Sequence, residues 1–298
     1  MPTMKNILVV LESADEARYV LDKAVALAVA NHAKLHAVRV VYEGVADLSS
    51  GAVEASTDLK TFILASEESE LEDWLDDARR RVADLDAVTV WNPRTWEGVL
   101  HAAEQAGADL IVRAVTTHHR FGDVIRTPDD WHLLRHAKAP VMLVKPRPWV
   151  KAPVILCAVD PFDDAHEPLN VALLQEAQGL AAVLGGDMMV VVAYPLFEPW
   201  VGQLGATGSY EEIRRSIEED IRTRVDDLAR SAGVRFGNLY AEEGHAAEVL
   251  TRVAADTGAE LLVLGTHARD GVQGLLLGNT AERVLHVIDT DVVTVHAP

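Results

Sequence analysis

Ala106-Gly107-Ala108-Asp109-Leu110-Ile111-Val112 and Thr257-Gly258-Ala259-Glu260-Leu261-Leu262-Val263 are two versions of one phrase, set 151 residues apart. The same offset carries Glu97 onto Glu248, Ala103 onto Ala254, Val141 onto Val292 and Val144 onto Val295. An ungapped internal match over about fifty residues marks a duplicated unit, and its period is far longer than a solenoid repeat. The chain has 298 residues, enough for two domains that each bury their own core. The expected boundary falls at 149/150, after the stiff Lys145-Pro146-Arg147-Pro148-Trp149 linker.

Working outward, each half opens on a continuous apolar run, Ile7-Leu8-Val9-Val10-Leu11 and Ile155-Leu156-Cys157-Ala158-Val159. Runs that do not alternate suit strands covered on both faces, as in a parallel sheet. Each run ends on an acid, Glu12 or Asp160, and passes into an amphipathic stretch. The apolar faces are Val20, Ala24, Leu27 and Ala28 in the first half and Leu169, Leu173, Ala177 and Leu180 in the second. Second strands follow at Lys34–Val41 and Met188–Tyr194. Longer polar helices then place Leu71, Leu75, Ala78, Val82 and Leu85, or Ile213, Ile217, Ile221, Val225 and Leu228, on one face.

The remainder of each half reads strand, helix, strand, helix, strand. The expected strands are Val88–Val90, Leu110–Val112 and Val141–Val144, with counterparts near Leu239-Tyr240, Leu261–Leu264 and Val292–Val295. The expected helices are Glu97–Ala106 and Asp129–His136, with counterparts at Ala246–Asp256 and Ala281–Val287. Alternation of this kind predicts two tandem α/β domains, each a doubly wound parallel five-stranded sheet. The repeat further predicts that a pseudo-twofold axis relates them.

Charge narrows the function. The formal net charge is −19, with −6 in residues 1–149 and −13 in residues 150–298. Such a surface repels phosphate backbones and anionic lipid, which argues against nucleic acid or membrane as partner. The single cysteine, Cys157, sits inside a strand-like run and reads as a small buried hydrophobe. Met1–Leu11 lacks the pattern of a secretory signal, and no apolar run reaches a membrane span, so a cytoplasmic protein is expected.

Ligands of open parallel sheets lie beyond the carboxyl ends of the strands. In the second half that place holds Gly265-Thr266-His267-Ala268, then nine residues, then Gly278-Asn279-Thr280-Ala281-Glu282. Glycine after a strand admits close backbone approach, and a following helix N-terminus offers N–H groups to phosphate. The same residues also suit plain turns, with Asn279 or Thr280 capping the helix.

The Gly265-x-x-Ala268-(nine residues)-Gly278-Asn279 segment resembles the nucleotide-binding signature of the universal stress protein family. The stretches Phe121–Arg135 and Leu277–Glu282 and the tandem layout resemble the E-type members of that family, across essentially the whole chain. The resemblance implies a stress-survival protein, linked to DNA-damaging conditions, acting as a non-catalytic scaffold or small-ligand sensor. An ATP-binding switch or weak ATPase is the alternative. It also implies ATP or another adenine nucleotide as the one cofactor to consider, in the second half. There Asp160 would lie against the nucleoside, Ala193 and Tyr194 near adenine, and Gly265, Ala268, Gly278, Asn279 and Thr280 along the phosphates. Ala268 and Asn279 depart from the family's glycine and hydroxyl residues.

In the first half the corresponding positions are Glu12, Ala114, Thr117, Thr127 and Pro128. Proline offers no N–H. Thr127-Pro128-Asp129-Asp130 reads as a helix start whose carboxylates sit where phosphate would otherwise lie. Nucleotide is not expected there. No metal site is expected either. His132 and His136 share a helical spacing, with His118 and His119 upstream, but lack the His-Glu-x-x-His pattern. Arg79-Arg80-Arg81 reads as pairing with Asp73, Asp76 and Asp77 rather than with nucleic acid. The apolar Tyr194–Val201 segment suits a flap, a dimer contact or self-packing. A small molecule, a protein partner or a second copy of the chain are the partners left open.

Overall fold

The computed structural model describes residues 4–44, 53–115, 128–195, 210–266 and 278–296, without the side chains of 53–58, Pro128 and Asn279. The described residues up to Trp149 form one compact unit and those from Val150 onward form a second. In the first, β1 (Asn6–Val10), α1 (Ala14–Asn31), β2 (Lys34–Val41), α2 (Val53–Arg81) and β3 (Leu85–Trp91) come first. They are followed by α3 (Thr95–Ala106), β4 (Leu110–Ala114), α4 (Pro128–His136) and β5 (Val141–Val144).

The second unit repeats the order. It has β6 (Val154–Ala158), a short 3-10 turn (Asp164–His166), α5 (Glu167–Leu184), β7 (Asp187–Tyr194), α6 (Tyr210–Ala232) and β8 (Leu239–Glu243). Then come α7 (Ala246–Thr257), β9 (Leu261–Thr266), α8 (Asn279–Val287) and β10 (Asp291–His296).

Strands run β3-β2-β1-β4-β5 in the first unit and β8-β7-β6-β9-β10 in the second, and every pairing within each set is parallel. Register is shared as well as order. Ile7 pairs with Leu35 and Leu110, and Ile155 with Met188 and Leu261. Strand order reverses beside β1 and beside β6, which opens a crevice at the carboxyl ends of β1 and β4, and of β6 and β9.

The core follows from the sequence pattern. Ile7, Leu8, Val9 and Val10 are all buried, as parallel strands covered on both faces require. Val20, Ala24, Leu27 and Ala28 of α1 and Leu169, Leu173, Ala177 and Leu180 of α5 are buried against the sheets. Leu71, Leu75 and Ala78 do the same for α2. Two positions differ from expectation. Leu85 starts β3 instead of closing the helical face, and Ala229 is the buried residue of α6 next to half-buried Leu228. Strand β3 spans seven residues where three were expected, because it alternates exposed with half-buried positions and lacks a continuous apolar run.

The repeated phrase has a structural meaning. Gly107 and Gly258 close α3 and α7 in the left-handed region, at φ 58° and 64°. The next residues, Ala108 and Ala259, donate back to Ala103 and Ala254 at 2.9 Å each. Left-handed caps of this kind favour glycine because a Cβ is strained there. The acid that follows ties the helix end to the entry of the sheet. Asp109 accepts from the N–H groups of Lys5 and Asn6 at 2.7 and 3.0 Å, and Glu260 from that of Val150 at 2.7 Å.

The Lys145–Trp149 linker is held against the first unit. Buried Lys23 donates to the Lys145 carbonyl at 2.9 Å, and its ammonium lies 5.3 Å from the Trp149 ring centroid. The Arg79–Arg81 run is indeed paired, but with Glu72, Asp77 and Asp22 rather than Asp73 or Asp76. Helical spacing of three, four and seven residues selects the first two, and packing of α1 on α2 supplies the third. No helix among the described residues is long and apolar enough to cross a membrane.

Candidate functional site

The second unit carries a cavity of about 200 Å³ at its switch point. Its walls come from β6 and the turn after it, from α5, β7 and the start of α7, from the end of β9, and from the first turns of α8. Most of the lining is aliphatic, with Leu169, Leu173, Val191, Leu250, Leu264 and Val284 as the larger walls. The polar groups among the described lining residues are Asp160, His166, Asn170 and Thr280.

Asp160 is positioned by its own backbone. It follows β6, where the chain leaves the sheet, and Asn170 of α5 grips it from both sides. The Asn170 amide oxygen accepts the Asp160 N–H at 3.0 Å, and its amide nitrogen donates to the Asp160 carbonyl at 2.7 Å. One carboxylate oxygen accepts from the N–H of Phe162 at 3.2 Å, and the other lies 3.1 Å from His166 Nδ1. The 3-10 turn that presents His166 is fixed by Asp163, whose side chain accepts from the Ala165 N–H at 2.9 Å. An apolar chamber with a carboxylate and an imidazole at its rim can hold a flat, weakly polar group and hydrogen-bond its edge.

Of the residues expected to bind, the structure brings Asp160, Ala193, Gly265 and Thr280 together around this cavity. Tyr194 is not among its lining residues. It is buried, its hydroxyl donates to Glu218 at 3.4 Å, and burial with the neighbouring Glu218 charge pushes the phenol up to about 12. Gly278 takes the N-cap position of α8 at φ −58°, so neither Asn279 nor Thr280 is the cap. A Cβ added at Gly278 would meet nothing within 4 Å, so neither packing nor φ demands glycine there. At Gly265 a Cβ would come within 2.6 Å of Leu169 and 3.3 Å of Leu173, so this glycine makes room for α5. Ala268 lies outside the described residues, as does the Asn279 side chain.

In the first unit Glu12 follows β1 as Asp160 follows β6, and Ala114 ends β4. Pro128 is the first residue of α4. Thr117, Thr127, His118 and His119 lie outside the described residues, as does most of the Tyr194–Val201 segment. Asp130, one of the two carboxylates expected at the start of α4, meets a residue that sequence reasoning passed over, Arg113. Arg113, 2% exposed, pairs through Nε with fully buried Asp130 at 3.0 Å and through Nη2 with Glu12 at 3.1 Å. Burial raises the Glu12 carboxyl above its ordinary pKa, against the opposing pull of Arg113. A visible signal for this cluster was the lone charge in Leu110-Ile111-Val112-Arg113-Ala114. The missed walls of the cavity, Leu264, Ala281 and Val284, carried none, since aliphatic residues line any core.

His132 stacks on Trp96 and His136 lies tilted against the same ring, with centroids 4.9 and 5.2 Å away. Among the described residues no group of three His, Cys, Asp or Glu side chains is placed to hold a metal ion. Cys157 is fully buried, and desolvation pushes its thiol far up, which leaves it inert as a nucleophile.

The chain matches the model of the universal stress protein family twice, over residues 3–145 and 153–296. It is 27% identical to universal stress protein E of Escherichia coli (strain K12), across 99% of this chain and 95% of the relative. It is 30% identical to the universal stress protein E homolog of Haemophilus influenzae, across 94% of each. Among solved structures, a candidate universal stress protein from Pseudomonas aeruginosa UCBPP-PA14 superposes with a TM-score of 0.72. That match has 25% identity and covers 98% of this chain and 93% of that one. A universal stress protein from Archaeoglobus fulgidus DSM 4304 shares the fold, at a TM-score of 0.63 and 15% identity over 98% of both chains. Duplicated strand order, shared register and both family matches agree: this chain belongs to the universal stress protein family, as a tandem protein of the E type.

Proposed function

We propose that this chain is a cytoplasmic stress-survival protein, under DNA-damaging conditions among others, that works by binding rather than turnover. It acts as a small-ligand sensor or scaffold, and its ligand enters the second unit alone. The observation behind this reading is the contrast between two equivalent crevices. One is an apolar cavity rimmed by Asp160 and His166; in the other Arg113 is ion-paired with Asp130 and Glu12. An adenine nucleotide such as ATP suits the open crevice, with the base among the aliphatic walls, the ribose toward Asp160 and the phosphates toward the start of α8, whose N–H groups favour anions. The chamber among the described residues, about 200 Å³, has room for the base.

Titration calorimetry of the full chain with ATP is the test. Binding at one site per chain is expected, and Ala246→Trp, which fills the mouth from the half-buried start of α7, is expected to abolish it. Mass spectrometry of the supernatant after denaturation identifies whatever ligand co-purifies. No binding of ATP and no co-purifying small molecule would refute the sensor reading. Sustained release of ADP over many turnovers, lost in Asp160→Ala, would replace it with the weak-ATPase alternative.

A further inference from the structure

We infer that the Arg113 guanidinium is a built-in stand-in for a ligand, tying together in the first unit the three elements that border the open cavity of the second. Shared strand register makes the comparison position by position. Leu110, Ile111 and Val112 face β1 as Leu261, Leu262 and Val263 face β6, so Arg113 stands on the rung of Leu264. Helices α4 and α8 begin at the same offset of 151 residues, and each buries its sixth and seventh residues, Leu133 and Leu134 or Val284 and Leu285. Asp130 therefore stands where Ala281 does.

In the second unit Leu264 and Ala281 are walls of the cavity. In the first, the same two positions carry opposite charges in contact at 3.0 Å, and the guanidinium reaches on to Glu12, the counterpart of Asp160, at 3.1 Å. One side chain thus links the end of β1, the end of β4 and the first turn of α4. Glu12 accepts from this planar, permanently charged fork, and Asp130 faces it as an ion pair, so the three groups fix charge and position together. A buried ion pair of this kind adds little stability over an apolar pair of like volume. What it adds is a connection that needs no small molecule, so the first unit is the constant half of the protein and the second the responsive one.

For the second unit this rests on the sensor reading; for the first it stands alone, and the experiment separates the two. Amide hydrogen exchange is followed in the full chain across 128–136 and 279–287, with and without ATP. In the unmodified protein ATP is expected to slow exchange across 279–287 at least tenfold and to leave 128–136 unchanged. Arg113→Leu with Asp130→Ala, the residues of the second unit, is expected to speed exchange across 128–136 at least tenfold while the chain stays folded. Exchange across 128–136 that stays within twofold of the parent in this double variant would overturn the inference. An absence of any ATP effect across 279–287 would count against the sensor reading alone. Asp130→Ala by itself is a second check, because it strands a buried guanidinium and is expected to loosen the same helix further.

Discussion

The Asn170 amide holds the backbone of Asp160 on both sides, accepting from its N–H and donating to its carbonyl across 3.0 and 2.7 Å. An asparagine in the first turns of a helix, 2% exposed, has no solvent to fall back on. Truncation to Asn170→Ala leaves two backbone groups without these partners and is expected to cost about 1–3 kcal/mol. Urea unfolding measures the loss. The same variant is expected to weaken ligand binding to the full chain, because the Asp160 carboxylate is aimed by the backbone that Asn170 fixes.

Arg113 and Asp130 predict a strongly non-additive pair. Asp130→Ala leaves a buried cation facing only Glu12 and is expected to cost about 3–5 kcal/mol. The double change of Arg113→Leu with Asp130→Ala removes both charges and is expected to recover most of that loss. Denaturant unfolding of parent, both single variants and the double variant completes the cycle.

Glu12 predicts a pH dependence of definite sign. Burial, with Asp130, Glu16 and Asp129 near it, raises its pKa in the folded chain, and Arg113 opposes this. A carboxyl whose folded pKa lies above its unfolded value binds its proton more tightly in the native state. The contribution to stability is therefore full below the ordinary carboxylate pKa and is lost as pH rises through the folded value. Glu12→Gln is expected to raise the melting temperature relative to the parent at pH 7 to 8, and the difference is expected to shrink toward pH 4. Thermal melts of both proteins across that range check it.

Glycines separate structural from ligand-related positions. At Gly107 and Gly258 a Cβ would meet nothing within 4 Å, so replacement by alanine acts through the left-handed backbone alone. Each is expected to cost about 1 kcal/mol. Gly278→Ala meets neither obstacle, and its effect on stability is expected to stay within about 0.5 kcal/mol. A loss of ATP affinity in Gly278→Ala without a loss of stability would place that backbone at the ligand.

Architecture was legible because its determinants are local. Apolar runs such as Ile155–Val159, helical spacing such as Leu169, Leu173, Ala177 and Leu180, and the glycine stops at 107 and 258 each act within a few residues. The candidate site was legible only where a residue type is unusual for its place, as with Asp160 after a strand or Gly265 near its end. Its walls were silent, since Leu264 and Val284 differ in no local respect from other core residues. Arg113 acquires meaning only through its tertiary pairing with Asp130 and Glu12, since nothing local to the strand shows which carboxylates it meets. Tyr194 misled because second-strand residues alternate faces, and its neighbour Ala193 is the one that lines the cavity.

The grip of Lys23 on the Lys145 carbonyl bears on how this protein meets proteases. A segment that joins two folded bodies is ordinarily the first place to be nicked. Its two basic residues, Lys145 and Arg147, each precede a proline, so trypsin-like enzymes cut after them poorly in any state of the chain. The bond left to attack is the one after Trp149, which a chymotrypsin-like enzyme cuts once the indole enters its specificity pocket. Here Trp149 is half-buried with its ring 5.3 Å from the Lys23 ammonium, and the Lys145 carbonyl is bonded to that same ammonium. Such an enzyme must first unfasten the join from the body of the first unit, so the join resists digestion at Trp149 for as long as that unit stays folded.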